Sequence, residues 1–130
     1  MEWSITYRPD QPFVRIVTHG SFKPEDQRRM IEAILASPFW QPGMHTLFDH
    51  RDLDFRGTDY AGMMQARGNH LRNNERIGDG KAALLMGTMD AFGVARQFEM
   101  LSEGQVLARL RVFKDEAEAL AWLTEAPPDQ

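Results

Sequence analysis

Cysteine is missing from all 130 residues, which removes disulfides, thiolate zinc sites and cysteine nucleophiles in one step. Nothing therefore points to an oxidising compartment. Long apolar runs are missing too, since no stretch approaches the roughly 18 residues that a bilayer-spanning helix requires. The opening residues, MEWSITYRPD, have neither the basic start nor the apolar stretch of a secretion signal, so the expectation is a cytoplasmic protein. A surplus of positive charge is likewise lacking. The 15 lysines and arginines are scattered among 19 aspartates and glutamates, for a net charge of −4, which disfavours capture of nucleic acid or an anionic membrane. No linker, repeat or low-complexity block breaks the chain, and a single domain over residues 1–130 is expected.

What is present suits a folded protein with its own core: 42% of residues are hydrophobic and 26% charged. WSITYR alternates Trp3, Ile5 and Tyr7 with polar neighbours, PDQP supplies a turn, and FVRIVTHG follows, which together read as a β-hairpin. Pro24 fits the first position of a helix whose stripe is Met30, Ile31, Ile34 and Leu35. HTLFD reads as a short strand. A polar stretch then leads into a helix from about Thr58 to Asn73, with Tyr60, Met63, Met64, Arg67 and Leu71 near one face. KAALLMG is apolar without alternation, as in a parallel strand covered on both faces. A helix over TMDAFGVARQFEML, an edge strand over GQVLARLRVF with Arg109 and Arg111 on its wet face, and a helix capped by Asp115 complete the order. The tail TEAPPDQ reads as frayed. The pattern ββαβαβαβα predicts an α/β fold: a five-stranded mixed, mostly parallel sheet with four helices and right-handed crossovers.

Chemistry concentrates in LFDHRDLDFRGTDYAGM, residues 47–63. Asp49, Asp52, Asp54, Asp59, Arg51 and Arg56 are expected at the carboxyl end of a parallel strand, beside the MGTMD turn, where open α/β sheets place ligands. Helix starts near Thr58 and Thr88 would offer backbone N–H groups to an anion. The aspartates oppose that use. The ordinary alternative is that Thr58 or Asp59 caps its helix while the remaining charges pair in solvent, at about 0–1 kcal/mol each.

Enzymatic motifs fail on context. Asp52-Leu53-Asp54 superficially resembles the Asp-x-Asp of haloacid dehalogenase-like phosphatases, but it is expected beyond the strand end and Arg56 stands where Thr or Val belongs. GDGK at 78–81 is no P-loop, because Glu75 occupies the place of its first glycine. His19, His45, His50 and His70 show no metal-ligand spacing. His45 and His50 bracket a strand at an odd interval, which puts them on opposite faces. No Gly-x-Ser-x-Gly occurs. With no nucleophile, paired base or metal set, neither an enzyme nor a cofactor is expected.

The element order, LFDHRD, FGVAR and VFKDEAEALAWL together resemble the SpoIIAA-like family of the STAS-like superfamily, related to anti-sigma factor antagonists, over about Trp3 to Leu123. The resemblance implies a five-stranded mixed sheet with helices, and a biochemical role that is uncharacterised in most members. In the antagonists proper, an Asp-Ser-Ser-Gly motif at a helix start is phosphorylated. The matching stretch here is Gly57-Thr58-Asp59-Tyr60, which departs from it at every position.

Two functions follow as expectations. One is a non-enzymatic interaction module with an unidentified protein partner, docking through Asp49, Arg51, Asp54, Arg56, Thr58, Asp59 and Tyr60. The other is a carrier or sensor of a small apolar, lipid-like ligand held near Met63, Met64, Met89, Phe92 and Gly93. It is motivated by the cluster of methionines, whose thioethers adapt to apolar partners, and by the similarity of CRAL-TRIO lipid-binding domains to this architecture. Core filling is the commoner use of such stripes. Gly93, in the first turns of a helix, suggests close approach by another group, because glycine there costs about 1 kcal/mol against alanine. The edge strand leaves a homodimer possible.

Overall fold

The N-terminal hairpin forms as β1 (Glu2–Tyr7) and β2 (Val14–Ser21), paired antiparallel with Ile5 opposite Ile16, in a computed structural model that describes residues 1–125. The chain continues through α1 (Pro24–Leu35), β3 (Thr46–Asp54), α2 (Tyr60–Arg72), a single turn α3 (Asn74–Ile77) and β4 (Lys81–Met86). It closes with α4 (Met89–Ser102), β5 (Arg109–Phe113) and α5 (Glu116–Leu123). Pro127 and Pro128 of the tail, expected to fray, lie outside the described residues.

The strands lie in chain order, β1-β2-β3-β4-β5, with β2 to β5 mutually parallel. Successive right-handed crossovers that always step the same way put their helices on one face. Accordingly Met30 and Ile34 of α1 and Ala91 and Ala95 of α4 join Ile16, Phe48, Leu84 and Met86 in one buried cluster. The alternate strand residues Leu47, Ala83 and Leu85 face α5 through Ala119 and Leu123. This double burial is why β4 carries no polar alternation.

Four differences from the pattern reading have physical causes. A fifth helix, α3, is too short to show an apolar period. The strand expected over HTLFD runs on to Asp54, so the aspartates of residues 49–54 lie within β3 instead of in a loop. After a bulge between Val17 and His19, β2 pairs with this extension, His19 opposite Asp52 and Ser21 opposite Asp54. The β4 ladder ends at His50 opposite Met86. The extension is thus ordered by one neighbour while its polar side chains reach water, and strand propensity alone undervalues such a segment. In α2 the buried residues are Met63, Ala66, Asn69 and His70, whereas Tyr60 and Leu71 are exposed. Asn69 can face α1 because its amide donates to Pro24 O at 2.8 Å and Gln27 Oε1 at 2.7 Å. Finally, β5 begins at Arg109, because Gly104 takes a positive φ and residues 103–108 turn before the strand instead of joining it.

Gly87 sets how closely the turn after β4 passes β3. A Cβ there would lie 2.4 Å from the carbonyl oxygen of Arg51, so any other residue must push the two apart.

Candidate functional site

The aspartate-rich segment and the Thr88 turn do meet on one rim. Arg51, Asp54, Arg56 and Thr58 border an open cleft whose opposite side is Thr88, Asp90 and Val94. Its two arginines, Arg51 and Arg56, are already paired with carboxylates. Arg51 donates through Nε to Asp49 Oδ1 at 2.9 Å and through Nη2 to Asp49 Oδ2 at 2.8 Å. The same Nη2 reaches Glu116 Oε1 at 3.1 Å, which also accepts from Arg15 Nη1 at 3.2 Å. Glu116 therefore ties α5 to β2 through Arg15 and to β3 through Arg51. The Asp49 carboxyl is held below its ordinary range, chiefly by the Arg51 hydrogen bond.

Nearer the tip, Arg56 donates to Asp54 at 2.8–3.0 Å, which holds the Asp54 carboxyl below its ordinary range. The arginine side chain is 89% exposed, so this pair adds little to stability. Both helix starts are closed by their own caps. Asp59 Oδ1 accepts from Gly62 N at 2.8 Å, and Thr88 Oγ1 from Ala91 N at 3.1 Å. The capping outcome expected for Asp59 is the observed one, and Tyr60 beside it stands 63% exposed.

Beneath the rim lies a pocket between the sheet and α1, α2 and α4. Met30, Met63, Met86, Phe48 and Phe98 form much of its apolar wall, and Gln27, His50, Thr58 and His70 supply polar groups. Its volume, counted as the space open to water centres, is about 60 Å³. At roughly 10–15 Å³ per water, it has room for about four to six waters. A narrower space of about 30 Å³ adjoins it, sharing Ile31, Phe48 and His70.

Both histidines are buried among apolar groups. His50 stands between Phe48 and Phe55, with ring centroids at 5.6 and 5.8 Å, and its Nδ1 lies 2.6 Å from Thr18 Oγ1. The Thr18 hydroxyl also donates to Asp49 O at 3.3 Å. His70 lies 5.6 Å from Phe98, and its Nδ1 has no hydrogen-bond partner. Burial pushes each imidazole down to about 4, against a slight opposing pull from Asp49 on His50, so both are neutral near pH 7. Thr18 beside His50 superficially resembles a nucleophile and base, but the hydroxyl is fully buried and no substrate reaches it. Among the described residues no three His, Asp or Glu side chains converge as a metal site.

Of the apolar candidates, Met63 alone lines the pocket. Met64 is half-buried elsewhere on α2 and Met89 is exposed. Phe92 lies 5.1 Å beneath Lys114 Nζ. Gly93 is exposed, and a Cβ there would meet nothing within 4 Å, so the close approach expected of it is not seen. Spacing excludes His50 and His70 as a ligand pair but does not reveal their burial, because polar residues on a helix or strand are assigned to water. The available signal was His70 standing seven residues after Met63 on the same helical stripe.

Pocket and rim are not separate. Phe55, Thr58 and Val94 line both.

The chain is similar in structure to an uncharacterized protein of the DUF3478 family with a SpoIIAA-like fold from Shewanella loihica PV-4. The two share 17% sequence identity over 94% of this chain and 92% of that one, with a TM-score of 0.60. That likeness shows the fold: the chain has the SpoIIAA-like architecture. No family model matches it, and no curated protein is similar to it in sequence. No described helix is long and apolar enough to cross a membrane.

Proposed function

We propose that the protein is a non-enzymatic regulatory module whose apolar pocket holds a small ligand and whose strand-end rim presents the bound state to a partner protein. One observation carries this reading: Phe55, Thr58 and Val94 belong to both the pocket wall and the cleft. A molecule entering the pocket must press on residues that also shape the outer surface, because packed interiors pass strain on instead of absorbing it. Along the rim, exposed Arg56 and Tyr60 with half-buried Asp54 and Thr58 have charge and an aromatic ring to offer a partner. The SpoIIAA-like fold agrees with a regulatory role and leaves its partner open. The self-paired aspartates and arginines argue for the rim as a contact surface over an anion site.

Xenon, a small neutral atom that apolar cavities take up, serves as the test ligand, with amide hydrogen exchange as the readout. Saturation is expected to slow exchange at residues 55–63 and 88–95 while leaving α5 unchanged. A stoichiometric partner recovered from native lysate should be lost with Arg56→Glu. Exchange that never changes at the rim, or a partner retained by the variant, would count against the reading.

A further inference from the structure

The sheet ends differently on its two sides. At β5 the Arg109 N–H bonds Gly80 O beside β4, so the alternate residues Leu110 and Val112 turn their backbone groups outward. The Val112 N–H is already taken: Glu99 of α4, itself paired with Arg96, accepts it at 3.1 Å. Only the Leu110 N–H stays open on that strand, and the charged side chains of Arg109 and Arg111 flank it.

β1 has no such guard. The Val14 N–H bonds His45 O, so Val14 and Ile16 serve β3, while Arg15, Val17 and His19 bond β1. Their partners Thr6, Ser4 and Glu2 therefore point inward, and Trp3, Ile5 and Tyr7 turn their N–H and C=O groups out of the edge. Among the described residues no loop or side chain bonds to those groups. The strand has no proline, lysine or bulge, the usual means of blunting an edge. Its large side chains, Trp3, Ile5 and Tyr7, are only half-buried.

We propose that two copies of this chain pair through β1, antiparallel about a two-fold axis, joining their sheets into one. The strand is complementary to itself, which favours a second copy over another partner. Two-fold antiparallel pairing must set one residue opposite its own copy. With Ile5 in that place, Trp3 lies opposite Tyr7 of the second copy and Glu2 opposite its Arg8. Aromatic then faces aromatic, carboxylate faces guanidinium, and every outward N–H and C=O group finds a partner. Centring on Ser4 would instead put Glu2 opposite Thr6 and waste the charges. Glu2 and Arg8 are free to turn, because their present contacts with His19 and Asp10 are exposed. The pairing does not depend on the pocket or its rim.

Sedimentation equilibrium of the full, untagged chain over a concentration series is expected to show reversible dimerisation. Glu2→Arg and Arg8→Glu should each weaken it roughly ten-fold, because both charge pairs of the dimer turn repulsive, and the double variant should restore it. Both side chains are exposed, so neither change disturbs the fold. In hydrogen exchange, the Trp3, Ile5 and Tyr7 amides should slow as concentration rises, while those of Ser4 and Thr6, bonded to β2, are slow throughout. A chain that stays monomeric at every concentration would overturn the proposal. So would a dimer indifferent to both single reversals, a double variant no better than the singles, or protection that appears at Leu110 instead.

Discussion

Protonating His50 or His70 in the folded protein would set a cation among aromatic and methionine side chains, and each ring instead titrates at about 4. In the unfolded chain the same rings titrate near 6.5. Between those values the unfolded chain binds more protons, so stability rises with pH across the window and is lost as pH falls from about 6.5 toward 4. His45, also lowered mainly by burial, contributes with the same sign. Asp49 and Asp54 are depressed below their own lower ordinary values and act beneath this window. Urea denaturation at about pH 7 and pH 5 should therefore show a loss on the order of a few kcal/mol. In His70→Leu the loss should be clearly smaller, and stability at pH 7 close to that of the unmodified protein, because an unpaired polar group gives way to an apolar one. An undiminished acid loss in the variant would contradict the assignment. At this scale the caps were legible, since Asp59 and Asp115 carry the side chains that caps use. Buried His70 was not, because its burial depends on what α1, α4 and the sheet bring to it.

Whole elements divided along the same line. The hairpin and β4 could be read from apolar spacing, because alternation and its absence report how many faces are covered. The extension of β3 could not. Its order comes from pairing with β2 beyond a bulge, a contact between distant parts of the chain that leaves no local period. Two glycines separate local cost from tertiary need. Gly93 sits in an exposed helix position with open space around it, so Gly93→Ala should stabilise the protein by up to about 1 kcal/mol. Gly87 lies against the Arg51 carbonyl, so Gly87→Ala should destabilise it by pushing the turn before α4 off β3. Thermal unfolding of the two variants checks both. A Gly93→Ala protein that melts lower would mean that another group does approach that face.

Across the molecule, the sequential strand order decides where a ligand can go. With no reversal there is no topological switch point, the usual crevice of open α/β sheets. Three helices crowd one face instead, and the residual space opens between them and the sheet. The mixed sheet and the rim shared by β3 and the Thr88 turn were readable from element order; the pocket was not, because it is a gap left by side chains from five elements, α1, α2, α4, β3 and β4. The methionines report on it directly. Met30, Met63 and Met86 line the pocket, whereas Met89 and Met100 are 66% and 64% exposed. In ¹H–¹³C methyl spectra, titration with xenon should move the Met30, Met63 and Met86 signals together, with one binding constant, and leave Met89 and Met100 where they are. Pocket signals that stay fixed under saturating xenon, or shifts confined to the exposed methyls, would contradict the existence of a ligand site beneath the rim.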